Sequence, residues 1–136
     1  MNALTRWIPR ILFFIAAVHT VYGLTSKAGA WGDIADAGVW NGVGGVAERE
    51  SAEWFFYAGM GFFIAGAFGL RSAQTTGSLP RELGWFLLFT GVTMSVIDPA
   101  SGGWLLAALG VLTHVSIRQG TPGREPAERP RAGVSP

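Results

Sequence analysis

Four stretches of the chain are apolar on every side, and polar connections separate them. They run from Trp7 or Ile8 to Leu24, from Trp54 to Leu70, from Leu83 to Ile97 with an extension back to Pro80, and from Gly103 to Ile117. A helix takes about 20 residues, and no fewer than about 17, to cross roughly 30 Å of hydrocarbon. The second stretch meets that length with no ionisable residue inside it, and the first with His19 alone. The third and fourth meet it when their flanking turns are helical. Pro80 suits a first helical turn, Ser78 is a cap for it, and Asp98-Pro99 is a stop. Ser51 is a candidate cap for the second helix. No stretch alternates with period two, and four strands cannot close a barrel. Segments such as Trp54–Leu70 leave no polar face for water. The pattern predicts an all-α integral membrane four-helix bundle with spans near 8–25, 53–71, 80–97 and 102–118.

The connection from Thr25 to Glu53 is too long for a simple turn. Trp31, Ile34, Val39 and Trp40 give it an apolar side opposite Asp33 and Asp36. This predicts a short extracytoplasmic interfacial helix near Trp31–Ala37, with its Trp residues at the headgroups. Residues 119–136 are rich in Pro, Gly and Arg without an apolar period, and are expected to form a disordered cytoplasmic tail.

Composition supports the membrane reading. Only 14% of the 136 residues are charged, against about 25% in an average soluble domain. Mean hydropathy is +0.34. A net charge of +1 gives no sign of a nucleic-acid partner. The absence of cysteine excludes disulfides, thiolate metal sites and thiol nucleophiles. Charge placement sets an orientation. Arg6, Arg10, Arg71, Arg81, Arg118, Arg124, Arg129 and Arg131 fall on one side of four crossings, leaving only Lys27 and Arg49 of the ten basic residues on the other. Positive charge collects in the cytoplasm. Both termini are therefore expected there, with the chain a multi-pass protein of a cell's inner or plasma membrane. A cleaved leader ending at Ala28-Gly29-Ala30 is the rival for the N-terminus. His19, Tyr22 and Lys27 make a poorly apolar approach to that site.

The order of short motifs is similar to that of a known family. Ala17-Val18-His19-Thr20-Val21-Tyr22-Gly23-Leu24 ends the first helix, and Gly38-Val39-Trp40-Asn41 follows in the connection. Glu53-Trp54-Phe55-Phe56-Tyr57-Ala58-Gly59, Leu79-Pro80-Arg81-Glu82-Leu83-Gly84-Trp85 and Pro99-Ala100-Ser101-Gly102-Gly103-Trp104-Leu105 open the other three. From Arg10 to Val115 the chain resembles a family of small bacterial four-helix membrane proteins catalogued as a domain of unknown function (number 6463). The resemblance implies the same topology and a bacterial membrane, and no activity.

His19 is the sharpest chemical feature, because an ionisable side chain within a membrane faces the bundle or a cavity. Tyr22 shares its helix face. Asn41, Glu53, Trp54 and Asp98 lie at the same end of the helices, and with His19 and Tyr22 they form the candidate pocket. Each also has a plain structural reading. His19 can be a neutral hydrogen-bonded link between helices, Glu53 a partner of the helix dipole, and Asp98 a turn residue. His114 lies nearer the other face, about 10 Å from His19 in depth, which argues against a shared haem. No spacing fits a metal site, and no cofactor is expected. Gly61, Ala65 and Gly69 fall four apart and form a small face for close helix packing, within the chain or in a homo-oligomer. The leading reading is a non-enzymatic accessory or lipid- or partner-binding bundle. One alternative is a membrane enzyme or binder of a hydrophobic small molecule, with an outward-facing pocket around His19. Another is a subunit of an oligomeric transporter.

Overall fold

The structure, a computed structural model, describes residues 1–120. The expected tail lies outside the described residues from position 121 onwards. Five helices follow one another: α1 (Ala3–Ser26), α2 (Ala28–Asp36), α3 (Ala47–Thr76), α4 (Arg81–Ile97) and α5 (Gly103–Gly120), and there is no strand among the described residues. Helices α1 and α3 are long and apolar enough to cross a membrane. Helix α4 has 17 residues and α5 has 18.

Four helix starts differ from the sequence reading. Helix α1 begins ahead of the apolar run because Asn2 caps it, its side chain accepting from Thr5 N at 2.8 Å. Helix α3 begins at Ala47, which leaves Ser51 inside the helix rather than at its cap. Glu48 and Glu50 occupy its first turn, where carboxylates favour the helix dipole. Glu50 also accepts from Gly45 N at 3.0 Å. Pro80 takes the cap position of α4 itself, and the Ser78 hydroxyl donates to a neighbouring carbonyl instead of capping. The short helix of the long connection starts at Ala28, directly after the break at Lys27. Helix α3 ends on Gly77, whose φ of 72° closes the helix with a bond from its N–H to Ala73 O.

Helix α3 runs back along α1. Gly23 meets Phe55, Gly59 meets Thr20, and Gly66 meets Phe13, so the numbers fall on one helix as they rise on the other. Helix α5 runs back along α4 in the same way, through Gly84 with His114, Gly91 with Ala107 and Gly103 with Ser95. The two pairs join through α1 and α5, whereas α3 and α4 stay apart along most of their length although they are consecutive. The order in space is therefore α3, α1, α5, α4. A cleft of about 360 Å³ separates α3 from α4, lined by Gly61, Ala65, Phe68, Leu83 and Phe86 among others. Ile8, Leu12 and Ala16 recur every four residues on α1 and form the core with Phe62, Leu83, Leu87, Leu106 and Leu109.

A polar clamp fixes the two pairs at one end. The Asn2 side-chain amide donates to Ser116 O at 2.9 Å, and the Thr5 and Ser116 hydroxyls lie 2.8 and 3.1 Å from Asn2 Oδ1. The two hydroxyls are also 2.7 Å from each other. They carry two protons for three contacts, so two of the three are hydrogen bonds at any moment.

The small face expected at Gly61, Ala65 and Gly69 is not one contact surface. Gly69 packs against Leu83 and Pro9, Ala65 is half-buried at the cleft, and a side chain at Gly61 would meet nothing. The close contacts use glycines seven apart instead: Gly59 and Gly66 on α3, Gly84 and Gly91 on α4, Gly103 and Gly110 on α5. A seven-residue repeat keeps one stripe facing a partner at a shallow left-handed crossing, where antiparallel helices stay close over several turns.

Candidate functional site

His19 lies on the α1 face that meets α3. Its ring stacks on Phe55 with centroids 3.9 Å apart and planes 3° from parallel, and stands edge-on to Phe62 at 5.5 Å. Glycines make the room. Gly23, one turn beyond His19, gives the Phe55 ring a flat seat, and a Cβ there would come within 2.5 Å of the ring. Gly59 does the same for Thr20 and lies beside the His19 ring. His19 Nε2 is 3.0 Å from the Phe55 carbonyl oxygen. A carbonyl can only accept, so Nε2 carries a proton here, and in the neutral form of the ring that leaves the lone pair on Nδ1.

His19 also borders a crevice of about 520 Å³ beside α1. Ile11, Phe14, Ile15, Val18, His19 and Tyr22 form its α1 wall, at helical spacings of three and four, and Leu105 of α5 faces them. The walls are almost wholly apolar. His19 Nδ1 has no hydrogen-bond partner among the described residues.

Of the six residues read from the sequence, the structure brings His19 and Tyr22 together in this crevice and sets the others elsewhere. Glu53 borders a separate cavity of about 320 Å³ beneath α2. The reason is helical phase: Glu53 and Phe55 differ by two residues, about 200° around α3, so they cannot face the same neighbour. Trp54 is exposed. Asn41 is exposed in the loop with a φ of 57°, a left-handed conformation that Asn tolerates better than most residues. Asp98 closes the α4–α5 turn, accepting from Ala100 N at 3.1 Å, and is not among the residues lining the crevice.

The sequence reading missed Gly23, Gly59, Phe55 and Leu105. Gly23 was within reach, since it follows His19 by four and so shares its face. Leu105 was not, because only the docking of α5 on α1 puts it there. His114 lies against Gly84 and Trp85 at the clamped end, with Nε2 buried and without a hydrogen-bond partner among the described residues. Among the described residues no group of three His, Asp or Glu side chains could hold a metal ion.

No curated protein and no solved structure matches the chain. The model of one family does match, over residues 3–120, which is nearly the whole described structure. The chain belongs to the family of unknown function DUF6463.

Proposed function

We propose that the chain is a multi-pass membrane protein that holds a hydrophobic molecule in the His19 crevice without transforming it. The observation that carries this reading is a girdle of large exposed apolar side chains around a core that also holds hydroxyls. Phe14 (70% exposed), Ile64 (67%), Phe89 (73%) and Val96 (75%) point outward, while Thr113 (0%) and Ser95 (2%) lie inside. In water such a girdle is an aggregation surface; in lipid it matches the solvent, and small residues are what let helices approach there. Helices α1, α3, α4 and α5 are the four crossings, near 8–25, 53–71, 80–97 and 102–118. Helix α2 lies on the outer face, and the clamped end, both termini and the α3–α4 loop are cytoplasmic by the placement of arginine.

The crevice fits a binding role better than catalysis. His19 is half-buried and tied to Phe55 O, and no carboxylate lines the trough to orient it or share its proton. General acid–base work needs a positioned partner. A lipid-like molecule with one hydroxyl suits the trough, its chain on Ile11, Phe14, Ile15 and Val18 and its O–H donating to Nδ1. Two experiments test this. A reporter active only outside the cytoplasm should be silent after Arg118 and active near Gly44; the reverse pattern rules out the orientation. Mass spectrometry of the intact protein, released from mild detergent, should find a bound hydrophobic mass that Val18→Trp excludes by filling the trough. His19→Gln, whose amide can donate to Phe55 O and still accept, should retain that mass and His19→Leu should lose it. If no mass is bound, or if none of the variants changes it, the crevice is only a packing gap.

A further inference from the structure

The second cavity, beneath α2, has a chemistry of its own. Glu53, Phe56 and Tyr57 share one face of α3, and with Trp31 and Ile34 of α2 and Val39 of the following loop they border a space of about 320 Å³. Three of these side chains are aromatic and set at steep angles. The Trp31 and Phe56 centroids are 5.9 Å apart with planes at 77°, and those of Phe56 and Tyr57 are 6.1 Å apart at 59°. Glu53 is the one charged residue lining the cavity. It is half-buried, and its carboxylate has no hydrogen bond or ion pair among the described residues. Arg49, one turn before Glu53 on α3, donates to Gly42 O at 2.8 Å and makes no ion pair with Glu53 among the described residues. The indole Nε1 of Trp31 is buried and lacks an acceptor among the described residues.

A half-buried carboxylate without a partner is costly, and it favours a cation beside it. Aromatic rings add attraction for that cation through their quadrupoles, more strongly once water is excluded. The surrounding field agrees in sign. From Lys27 to Glu53 the chain carries two basic and five acidic side chains, a net charge of −3, which draws cations toward this face. An organic cation fits this lining better than a metal: a divalent ion takes six or more oxygen ligands, and the cavity lining offers one carboxylate. An alkylated cation fits better still. A primary ammonium has three N–H donors to satisfy, whereas a quaternary ammonium needs none and suits a wall of rings and aliphatic carbons. An oxygen a few bonds from that nitrogen is the acceptor Trp31 lacks.

We propose that this cavity binds the quaternary ammonium of a choline-type molecule, held by the Glu53 carboxylate and the rings of Trp31, Phe56 and Tyr57, with the ligand's oxygen accepting from Trp31 Nε1. The proposal does not depend on what occupies the His19 crevice. The test is calorimetric titration of the full chain in a non-ionic detergent. Choline should bind saturably, and its neutral isostere 3,3-dimethyl-1-butanol roughly tenfold more weakly or not at all. Glu53→Gln should weaken choline roughly tenfold and leave the isostere unchanged. Phe56→Leu, which keeps an apolar side chain and removes a ring, should weaken choline as well. Glu48→Gln, an exposed acid of the same segment outside the cavity lining, should leave affinity within about twofold. Dihexanoyl phosphocholine binding more tightly than choline identifies a lipid headgroup as the source; equal or weaker binding identifies a free solute. Equal affinity for choline and the neutral isostere overturns the proposal whether or not the variants fold. So does unchanged choline affinity in folded Glu53→Gln and Phe56→Leu, or no binding of choline and phosphocholine alike.

Discussion

The two helix pairs solve the same packing problem with different materials. Between α4 and α5, backbone meets backbone at Gly91 and Gly110, although Gly84 meets the His114 ring. A Cβ on Gly91 would collide with the Ala107 nitrogen and fall 2.7 Å from Gly103 O, and one on Gly110 would come within 2.6 Å of Leu88 N. Between α1 and α3, glycine meets side chains: the Phe55 ring at Gly23, the Thr20 hydroxyl at Gly59 and the Phe13 ring at Gly66. A helix backbone cannot yield without shifting the whole helix, but a ring or hydroxyl can rotate. The α4–α5 pair is therefore the fixed half of the molecule and the α1–α3 pair the adjustable half. Both cavities with chemistry in their walls border the adjustable half.

That contrast can be broken by substitution. Gly91→Ala and Gly110→Ala should have the largest effect, a net loss of about 2–3 kcal/mol after the gain in helix propensity, seen as a lower midpoint of thermal unfolding in detergent. The clamp comes next. Ser116→Ala leaves Asn2 Oδ1 and the Thr5 hydroxyl one partner short and should cost about 1–2 kcal/mol in the same assay. Gly23→Ala should cost about 1 kcal/mol, because the Phe55 ring can move aside. Its clearer signature is at His19, whose ring resonances, shifted by the stacked Phe55, should return toward random-coil values. Equal losses from Gly23→Ala and Gly91→Ala would remove the distinction between the pairs.

The smallest effect has the opposite sign. Gly61 faces open space at the α3–α4 cleft, so Gly61→Ala gains helix propensity without a clash and should stabilise by up to about 1 kcal/mol. A destabilising result would mean that the cleft closes on another helix under the conditions of the assay. Ala65→Leu sharpens the point, since at a half-open cleft it should be mild and not the overpacking that a close small face would impose.

The helices were legible in the sequence to the extent that their signals are local. The apolar runs and the Asp98-Pro99 stop depend on neighbours a few residues away, and α4 ends at Ile97, directly before Asp98. The start of α1 was not legible from the apolar run, because Asn2 works as a cap that also reaches Ser116, 114 residues along the chain. Likewise the spacing of Gly61, Ala65 and Gly69 is real but ambiguous. A helix with many small residues offers several stripes, and only the choice of neighbour says which one is used.

The candidate site divides on the same line. His19 and Tyr22 share a helix face, and their joint presence in one crevice follows from a spacing of three. Grouping Glu53, Asn41 and Asp98 with them rested on all being at one end of the helices, and depth along an axis does not fix direction around it. The sequence by itself determined an all-helical chain, the turn at Asp98-Pro99 and a lone histidine in an apolar helix, because those follow from periodicity and backbone sterics within a few residues. Only the tertiary structure decided that α3 and α4 stand apart, that the Phe55 carbonyl fixes the His19 tautomer, and that Glu53 faces aromatic rings without a partner. Each of these depends on the rotation of one helix against another, which is set by the summed packing of distant residues.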